Sequence, residues 1–315
     1  MSTDRRNFLL GLGGLSAGTL SLNAQEKAES SSKAAAIPEP ARISNILFSC
    51  KYGMTKGKTI EERFASAKEA GFDGIDFDHA GKYTAEQVRN ASYQTGLFVH
   101  NAINHTHWGK RFTSANAEDI ATAKQNLEHC IRVSQAAGGS AVLLVIGREN
   151  DGEAKEIADR ARKHISELLP LAAALGQRIL FENVWNGMFY KHGGATDQNC
   201  NELVDFIDSF KSPWVGSYFD VGNHHRYGKM GDWLRALGHR VVKLDLKGYN
   251  LKKAQEKKKD GAGFCDITEG DIDWADVRKA LAEINFNGWT TAEVGGGDTN
   301  RLKKVLDDMK RALIG

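Results

Sequence analysis

Four acidic residues stand at or beside the ends of four apolar segments in the second half of the chain. They are Glu182 in Phe181-Glu182-Asn183, Asp220 in Phe219-Asp220-Val221, Asp245 in Leu244-Asp245-Leu246 and Glu293 in Ala292-Glu293-Val294. If these segments are parallel strands of one barrel, the carboxylates meet at its mouth and repel one another unless a cation lies between them. Oxygen ligands suit Mg²⁺ or Mn²⁺, so the pattern predicts one divalent metal site. Taken singly, each acid could instead cap a helix or pair with a lysine.

Eight short apolar segments alternate with longer segments of helical periodicity. The predicted strands are Ile43–Cys50, Gly74–Asp78, Leu97–Ile103, Ala141–Ile146, Arg178–Asn183, Trp214–Asp220, Arg240–Leu246 and Trp289–Val294, and the predicted helices include Glu61–Ala70, Ala117–Ala137, Glu153–Leu175, Ile272–Ile284 and Thr299–Leu313. Eight such units predict an α/β fold, a single-domain (β/α)8 TIM barrel over residues 41–315. A doubly wound open sheet is the alternative, but no Gly-x-Gly-x-x-Gly motif follows the first strand.

Composition narrows the possible partners. The 315 residues are 41% hydrophobic and 26% charged, with a formal net charge of +2. This balance offers no extended positive field for nucleic acid or for an anionic membrane surface. The four cysteines, Cys50, Cys130, Cys200 and Cys265, are too few and too scattered for a disulfide framework or a zinc knuckle. We therefore expect free thiols, no nucleic acid partner and a small-molecule substrate.

The first 40 residues differ in character from the rest. Arg5 and Arg6 precede an apolar run from Phe8 to Leu20, which resembles a twin-arginine export signal ending near Ala24. Residues 25–40, rich in Ser, Ala and Pro, are predicted to form a linker. This organisation predicts a periplasmic or exported protein without a membrane anchor in its mature form. A chance basic pair before an apolar helix is the alternative.

Several motifs of the barrel segment occur together in the order found in a known family. They are Phe181-Glu182-Asn183, Phe219-Asp220-Val221-Gly222-Asn223, Val242-Lys243-Leu244-Asp245-Leu246-Lys247, Glu269-Gly270-Asp271-Ile272-Asp273-Trp274, and Gly288-Trp289 leading to Ala292-Glu293-Val294. From Ile43 onward the chain resembles the sugar phosphate isomerase/epimerase family of xylose isomerase-like TIM barrels. The resemblance implies one divalent ion bound by Glu182, Asp220, Asp245 and Glu293. Mn²⁺ or Mg²⁺ is expected, with Zn²⁺ or Co²⁺ as alternatives.

Two positions depart from the family pattern. Asp245 stands where many members have a metal-binding histidine, so the predicted ligand set is entirely carboxylate. Asn223 stands where ketose epimerases usually have a substrate-binding histidine. His224 and His225 follow at once, and His225 is predicted to contact the substrate in its place.

Further side chains are predicted to lie at the barrel mouth. His107 and Trp108 follow the third strand, where an aromatic ring can stack on a sugar face. Lys247 is predicted to meet substrate oxygens. Lys243, four residues earlier in the sequence and therefore deeper in the barrel, is predicted to neutralise acidic groups there. The basic run at residues 252–259 is predicted to be a solvated loop, with a lid over the mouth as the alternative.

The resemblance implies an isomerase or epimerase that moves a proton of a keto-sugar through an enediolate, with Glu182 and Glu293 as base and acid. A lyase or hydrolase of an oxidised sugar or glycoside would use the same first step and the same metal. A phosphodiesterase of the endonuclease IV type is disfavoured because it needs Asp-x-x-His where this chain has Asp220-Val221-Gly222-Asn223. A non-catalytic sugar-binding barrel is a further alternative. Homo-oligomerisation stays open.

Overall fold

The computed structural model describes residues 46–315. The predicted signal peptide (residues 1–24), the predicted linker (25–40) and the first residues of the predicted barrel segment lie outside this range, so the export and localisation hypotheses stay predictions. No helix of the described chain is both long enough and apolar enough to cross a membrane. All four cysteines have free thiols, as the sequence predicts.

Eight parallel strands close into a barrel. They are β1 (Ile46–Lys51), β2 (Gly74–Phe77), β3 (Phe98–Ile103), β4 (Ala141–Leu144), β5 (Arg178–Glu182), β6 (Val215–Asp220), β7 (Val241–Leu246) and β10 (Gly288–Ala292), in the spatial order β1-β10-β7-β6-β5-β4-β3-β2. A short antiparallel hairpin, β8 (Gly248–Tyr249) and β9 (Phe264–Cys265), is inserted after β7. This confirms the predicted single-domain (β/α)8 barrel.

Helices surround the barrel. The described α-helices are α1 (Ile60–Ala70), α2 (Ala85–Thr95), α3 (Ala117–Ala136), α4 (Ala154–Ser166), α5 (Leu169–Ala174), α6 (Asn201–Asp208), α7 (Met230–Leu237), α8 (Leu251–Lys257), α9 (Trp274–Glu283) and α10 (Thr299–Leu313). Local sequence sets several boundaries. Thr84 and Gln87 form a reciprocal capping box at the start of α2, and Gly96 ends that helix in the left-handed conformation. Most of the apolar core lies between the outer faces of the strands and these helices.

Two predictions about helices are wrong. The single helix predicted over Glu153–Leu175 is two helices, α4 and α5, because Pro170 lies in the first turn of α5 and lacks the N–H that a continuous helix would need. The basic run at residues 252–259 is not simply a loop, because its first part forms α8. Asn250 caps this helix by accepting a hydrogen bond from the Lys253 amide at 2.7 Å.

The barrel interior is divided into an apolar and a polar side. Small and aliphatic residues of β3, β4 and β5 pack with Tyr218 of β6 in one internal cluster: Ile103, Ala141, Leu143 and Leu180. The rest of the interior contains buried hydrogen-bonding side chains from β1, β2, β3, β7 and β10, and the Tyr218 hydroxyl bonds to two of them. Because TIM-barrel interiors are usually filled by branched apolar residues, this polar side calls for a functional explanation.

Candidate metal and substrate site

The four acidic residues singled out in the sequence meet at the carboxyl end of the barrel. Glu182 and Asp220 are the last residues of β5 and β6, Asp245 is next to last in β7, and Glu293 directly follows β10. The strand register places Asp220 beside Asp245. Each residue offers one carboxylate oxygen, and these four oxygens lie within 4.8 Å of one another. Such a cluster can hold a single divalent ion.

Two lysines accompany the carboxylates. Lys247 Nζ lies 2.5 Å from Glu293 Oε2 and 3.0 Å from Asp220 Oδ2. Lys51 Nζ lies 2.6 Å from Asp245 Oδ2 and 3.0 Å from Oδ2 of Asp76, a fifth buried carboxylate. Five carboxylates minus two ammonium groups leave a formal charge of −3. A divalent cation would therefore remove most of the charge that the lysines leave uncompensated.

The hydrogen bonding of the acids suits a hard metal ion. Asp220 Oδ1 accepts the amide N–H groups of Gly222 and Asn223 at 2.7 and 2.8 Å, which fixes the orientation of the carboxylate. Asp245 Oδ1 is buried and has no hydrogen-bond partner among residues 46–315. A buried carboxylate oxygen without a donor is costly unless a cation supplies the missing interaction. The residues present thus fit Mg²⁺ or Mn²⁺.

Burial and mutual repulsion separate the protonation states of the two glutamates. Burial, helped by the charge of Glu293, raises the pKa of Glu182 to about 8. Burial acts in the same direction on Glu293, but Lys247 and Lys51 outweigh it and lower its pKa to about 2. Burial also raises the pKa of Asp220 to about 7, against the opposing charge of Lys247. Without a bound ion the cluster therefore holds protons that a metal would have to displace.

A cavity of about 510 Å³ reaches the carboxylate cluster, and Glu182 and Glu293 are among its lining residues. Its floor and walls combine charged groups with aromatic and aliphatic side chains: Lys51, Met54, Asp78, Ile103, His107, Trp108, Leu143, Glu182, Val184, Trp185, Asn223, Lys247, Phe264, Glu293 and Val294. Volume and lining are those of a small-molecule site with a few fixed polar groups. Flat aromatic walls beside hydrogen-bonding groups suit a carbohydrate.

The predicted substrate contacts are only partly brought together. His107, Trp108 and Lys247 line the cavity. Burial lowers the pKa of His107 to about 3, and its Nδ1 accepts the Val145 N–H at 3.1 Å, so the neutral ring carries its proton on Nε2. His225 is not among the cavity-lining residues; its ring lies 6.3 Å from that of Tyr249.

Several residues of the site are not predicted from the sequence, among them Asn223, Trp185, Phe264, Lys51 and Asp76. Asn223 lines the cavity and donates a hydrogen bond from Nδ2 to Glu182 Oε1 at 3.3 Å. Trp185 and Phe264 form an aromatic wall with ring centroids 5.0 Å apart. Lys51 was missed because the first strand was predicted to end at Cys50, one residue too early. The position of Asn223, three residues after the candidate metal ligand Asp220, could have indicated that it lies at the site.

A chain of hydrogen bonds runs through the polar side of the barrel interior. It passes from Lys243 to His100, Ser49, Thr291, Tyr218, Asp76 and Lys51, with successive donor–acceptor distances of 2.9, 2.9, 2.7, 2.7, 3.0 and 3.0 Å. The prediction that Lys243 neutralises buried acids is wrong, because its Nζ bonds to the Nδ1 and backbone oxygen of His100. Lys51 makes the ion pairs instead, since its side chain reaches the carboxylates from β1.

The fold agrees with comparisons to known proteins. The model of the family described as "Xylose isomerase-like TIM barrel" matches residues 64–312, and the chain belongs to that family. No protein of the curated set matches significantly.

Among solved structures with the same fold is a D-allulose 3-epimerase from Methylomonas sp., with 18% identity and a TM-score of 0.66, covering 86% of this chain and 99% of that one. A D-tagatose 3-epimerase-like protein has 16% identity and a TM-score of 0.69, covering 84% and 96%. A 3-keto-D-glucoside 4-epimerase from E. coli has 14% identity and a TM-score of 0.66, covering 85% and 98%.

Proposed function

We propose that the protein is a divalent-metal-dependent isomerase or epimerase of a keto-sugar or a related carbohydrate. The observation that carries this proposal is the convergence of four carboxylate oxygens within 4.8 Å of one another, with two of the four residues, Glu182 and Glu293, lining a cavity of sugar size. The names of the epimerases with the same fold support the reaction class.

Glu182, Asp220, Asp245 and Glu293 would hold the ion. When bound, a divalent ion supplies Lewis acidity to a ketone oxygen and its neighbouring hydroxyl, which makes the adjacent carbon-bound hydrogen acidic. The all-carboxylate set favours Mn²⁺ or Mg²⁺ over Zn²⁺. Asp220 is held by two backbone amides and Asp245 by Lys51, so both are suited to a purely ligating role.

Glu182 and Glu293 are the proposed acid and base. Both side chains line the cavity, one at the end of β5 and the other directly after β10, so each can exchange a proton with a bound substrate. Asn223 orients Glu182, and Lys247 orients Glu293. A proton removed by one and returned by the other on the opposite face gives epimerisation; its return to the neighbouring carbon gives isomerisation.

The cavity walls are proposed to bind the rest of the sugar. Trp108 is 43% exposed at the rim and offers a flat face for ring carbons, and His107 presents an Nε2–H donor. Lys247 can donate to a substrate hydroxyl while it holds Glu293. His225 lies outside the cavity lining, and its contact with the substrate stays a prediction.

Hydrogen exchange tests the proposal directly. The Mn²⁺-loaded protein in heavy water should place deuterium at the carbon next to the ketone of D-allulose, D-tagatose, L-ribulose or a 3-keto-D-glucoside, without fragment release. Glu182→Gln and Glu293→Gln should each lower the exchange rate at least about 100-fold, since each removes a proton-transfer group. Glu202→Gln, on the surface of α6, is the matched control and should exchange normally.

Other outcomes point elsewhere. Exchange that survives in both site variants would remove these glutamates from the mechanism. Loss of a substituent from the sugar together with exchange would indicate a lyase acting on an oxidised sugar. Binding of a sugar that persists in Glu293→Gln, with no exchange in any protein, would indicate a sugar-binding barrel without catalysis.

A further inference from the structure

The two oxygens of Asp245 have different surroundings. Oδ2 lies 2.6 Å from Lys51 Nζ, whereas Oδ1 has no hydrogen-bond partner within the described residues, although both are fully buried. One oxygen of this carboxylate also lies within 4.8 Å of the oxygens of the other three acids. A single side chain thus presents one occupied and one free acceptor within the carboxylate cluster.

Lys51 is held firmly in this position. Its Nζ also donates to Asp76 Oδ2 at 3.0 Å, and Asp76 is itself fixed by Asn101 Nδ2 at 2.7 Å and by the Tyr218 hydroxyl at 3.0 Å. The lysine side chain is 6% exposed. Because Nζ bridges Asp245 and the fully buried Asp76 on the neighbouring strand β2, it cannot turn away from either residue without leaving that buried carboxylate without its ion pair.

A lysine at this point is incompatible with a histidine ligand at position 245. A neutral imidazole that binds a metal through one nitrogen carries a hydrogen on the other and needs an acceptor there. An ammonium group has only donors, so it would oppose the imidazole N–H. A carboxylate has no such conflict, since one oxygen can accept from Lys51 while the other binds the ion.

We propose that Lys51 is a positioning residue that holds Oδ2 of Asp245, leaves Oδ1 for the divalent ion, and thereby requires a carboxylate rather than an imidazole at position 245. The inference rests on the proposed metal-dependent function for the identity of the ion. The contact between Lys51 and Asp245 lies within this chain, so the energetic coupling of the two residues can be measured without any substrate.

A double-mutant cycle tests the pairing. Mn²⁺ affinity is measured by calorimetry, and thermal unfolding in EDTA is measured on the same proteins: wild type, Asp245→His, Lys51→Gln and the double variant. We expect each single variant to bind Mn²⁺ about 10- to 100-fold more weakly. The double variant should recover most of that affinity and unfold at a higher temperature than either single variant, because the glutamine amide can accept from the imidazole and donate to Asp76.

Lys243→Gln combined with Asp245→His is the matched control. Lys243 is equally buried on the same strand as Asp245, but its Nζ contacts His100, so its replacement should give no recovery. Equal losses in both double variants, or additive losses in the cycle, would overturn the inference. If Asp245→His fails to fold, the yield of soluble protein is measured in place of Mn²⁺ affinity. A soluble yield restored by adding Lys51→Gln, but not by adding Lys243→Gln, supports the pairing. Failure of both double variants to fold overturns it.

The result separates this inference from the proposed function. Wild-type protein that binds Mn²⁺ but shows no coupling between positions 51 and 245 would contradict only the role of Lys51. Wild-type protein that binds neither Mn²⁺ nor Mg²⁺ would contradict the metal-dependent function, and with it the assignment of Oδ1 as a ligand.

Discussion

The barrel interior contains two buried lysines in contrasting surroundings. Lys51, near the mouth, lies between two carboxylates, and Lys243, deeper in the barrel, lies against an imidazole and a backbone carbonyl. Burial opposes the charge of both. Asp245 and Asp76 outweigh that effect at Lys51 and raise its pKa, whereas burial lowers the pKa of Lys243 to about 7. The same residue type is thus a permanent cation in the mouth layer, around Lys51, and only partly protonated at pH 7 in the deeper layer, around Lys243 and His100.

The difference shows that partners, not depth, set the charge inside this barrel. In the deeper layer the pKa of His100 is also lowered, by burial first and then by Lys243, and the ring stacks on Trp289 at 4.6 Å. This layer is polar but carries little charge. The mouth layer concentrates five carboxylates and two lysines, which is the composition expected of a site that receives a cation.

Replacing each lysine by methionine should give the largest difference in stability between the two layers. Lys51→Met leaves Asp245 and Asp76 buried without their cation, so the free energy of unfolding of the metal-free protein should fall by about 3–5 kcal/mol. Lys243→Met removes a poorly compensated ammonium along with its hydrogen bonds and should change stability by less than about 1 kcal/mol at pH 7. Urea unfolding in EDTA measures both. Equal losses would refute the contrast.

The pH dependence of stability should sharpen the comparison. The pKa of Lys243 is about 7 in the folded protein and about 10.4 in an unfolded chain. Between these values the unfolded state binds the extra proton, so this group makes the free energy of unfolding rise with pH, by up to about 1.4 kcal/mol per unit. The difference between wild type and Lys243→Met should therefore increase by about 2 kcal/mol from pH 7 to pH 9, and a flat difference would contradict the lowered pKa.

The smallest effect is expected at the outer end of the deeper layer. Ser140 is exposed, and its hydroxyl lies 3.3 Å from Lys243 Nζ. Ser140→Ala should cost less than about 0.5 kcal/mol in urea unfolding and leave Mn²⁺ affinity unchanged. A loss of more than about 1.5 kcal/mol in the free energy of unfolding would show that the Ser140 hydroxyl stabilises a charged Lys243. Both layers would then contain a stabilised ammonium group, contrary to the contrast drawn above.

Much of the fold and of the acidic cluster could be predicted from the sequence because both depend on local patterns. Apolar segments of strand length gave all eight barrel strands, and Glu182, Asp220, Asp245 and Glu293 stood at their ends. The helix break at Pro170 was predictable too, since proline lacks the amide hydrogen, but the helical periodicity on either side of it hid the break.

The partners of the buried charges could not be predicted in this way. Whether Lys51 or Lys243 reaches a carboxylate depends on the strand register around the barrel. The predicted first strand ends at Cys50, one residue before the end of β1, so Lys51 is not predicted to lie in the barrel. Phe264 reaches the cavity only because the β8–β9 hairpin folds back after 14 intervening residues, between Tyr249 and Phe264. Contacts of this kind join distant parts of the chain and produce no periodic pattern in the sequence.

The hydrogen-bonded chain from Lys243 to Lys51 has a practical consequence for protein engineering. Its seven side chains come from six strands, β1, β2, β3, β6, β7 and β10. Loops grafted from this mouth onto an ordinary barrel with an aliphatic interior would arrive without the scaffold that orients Lys51 and, through it, Asp245. A successful transplant would have to carry the interior along with the loops.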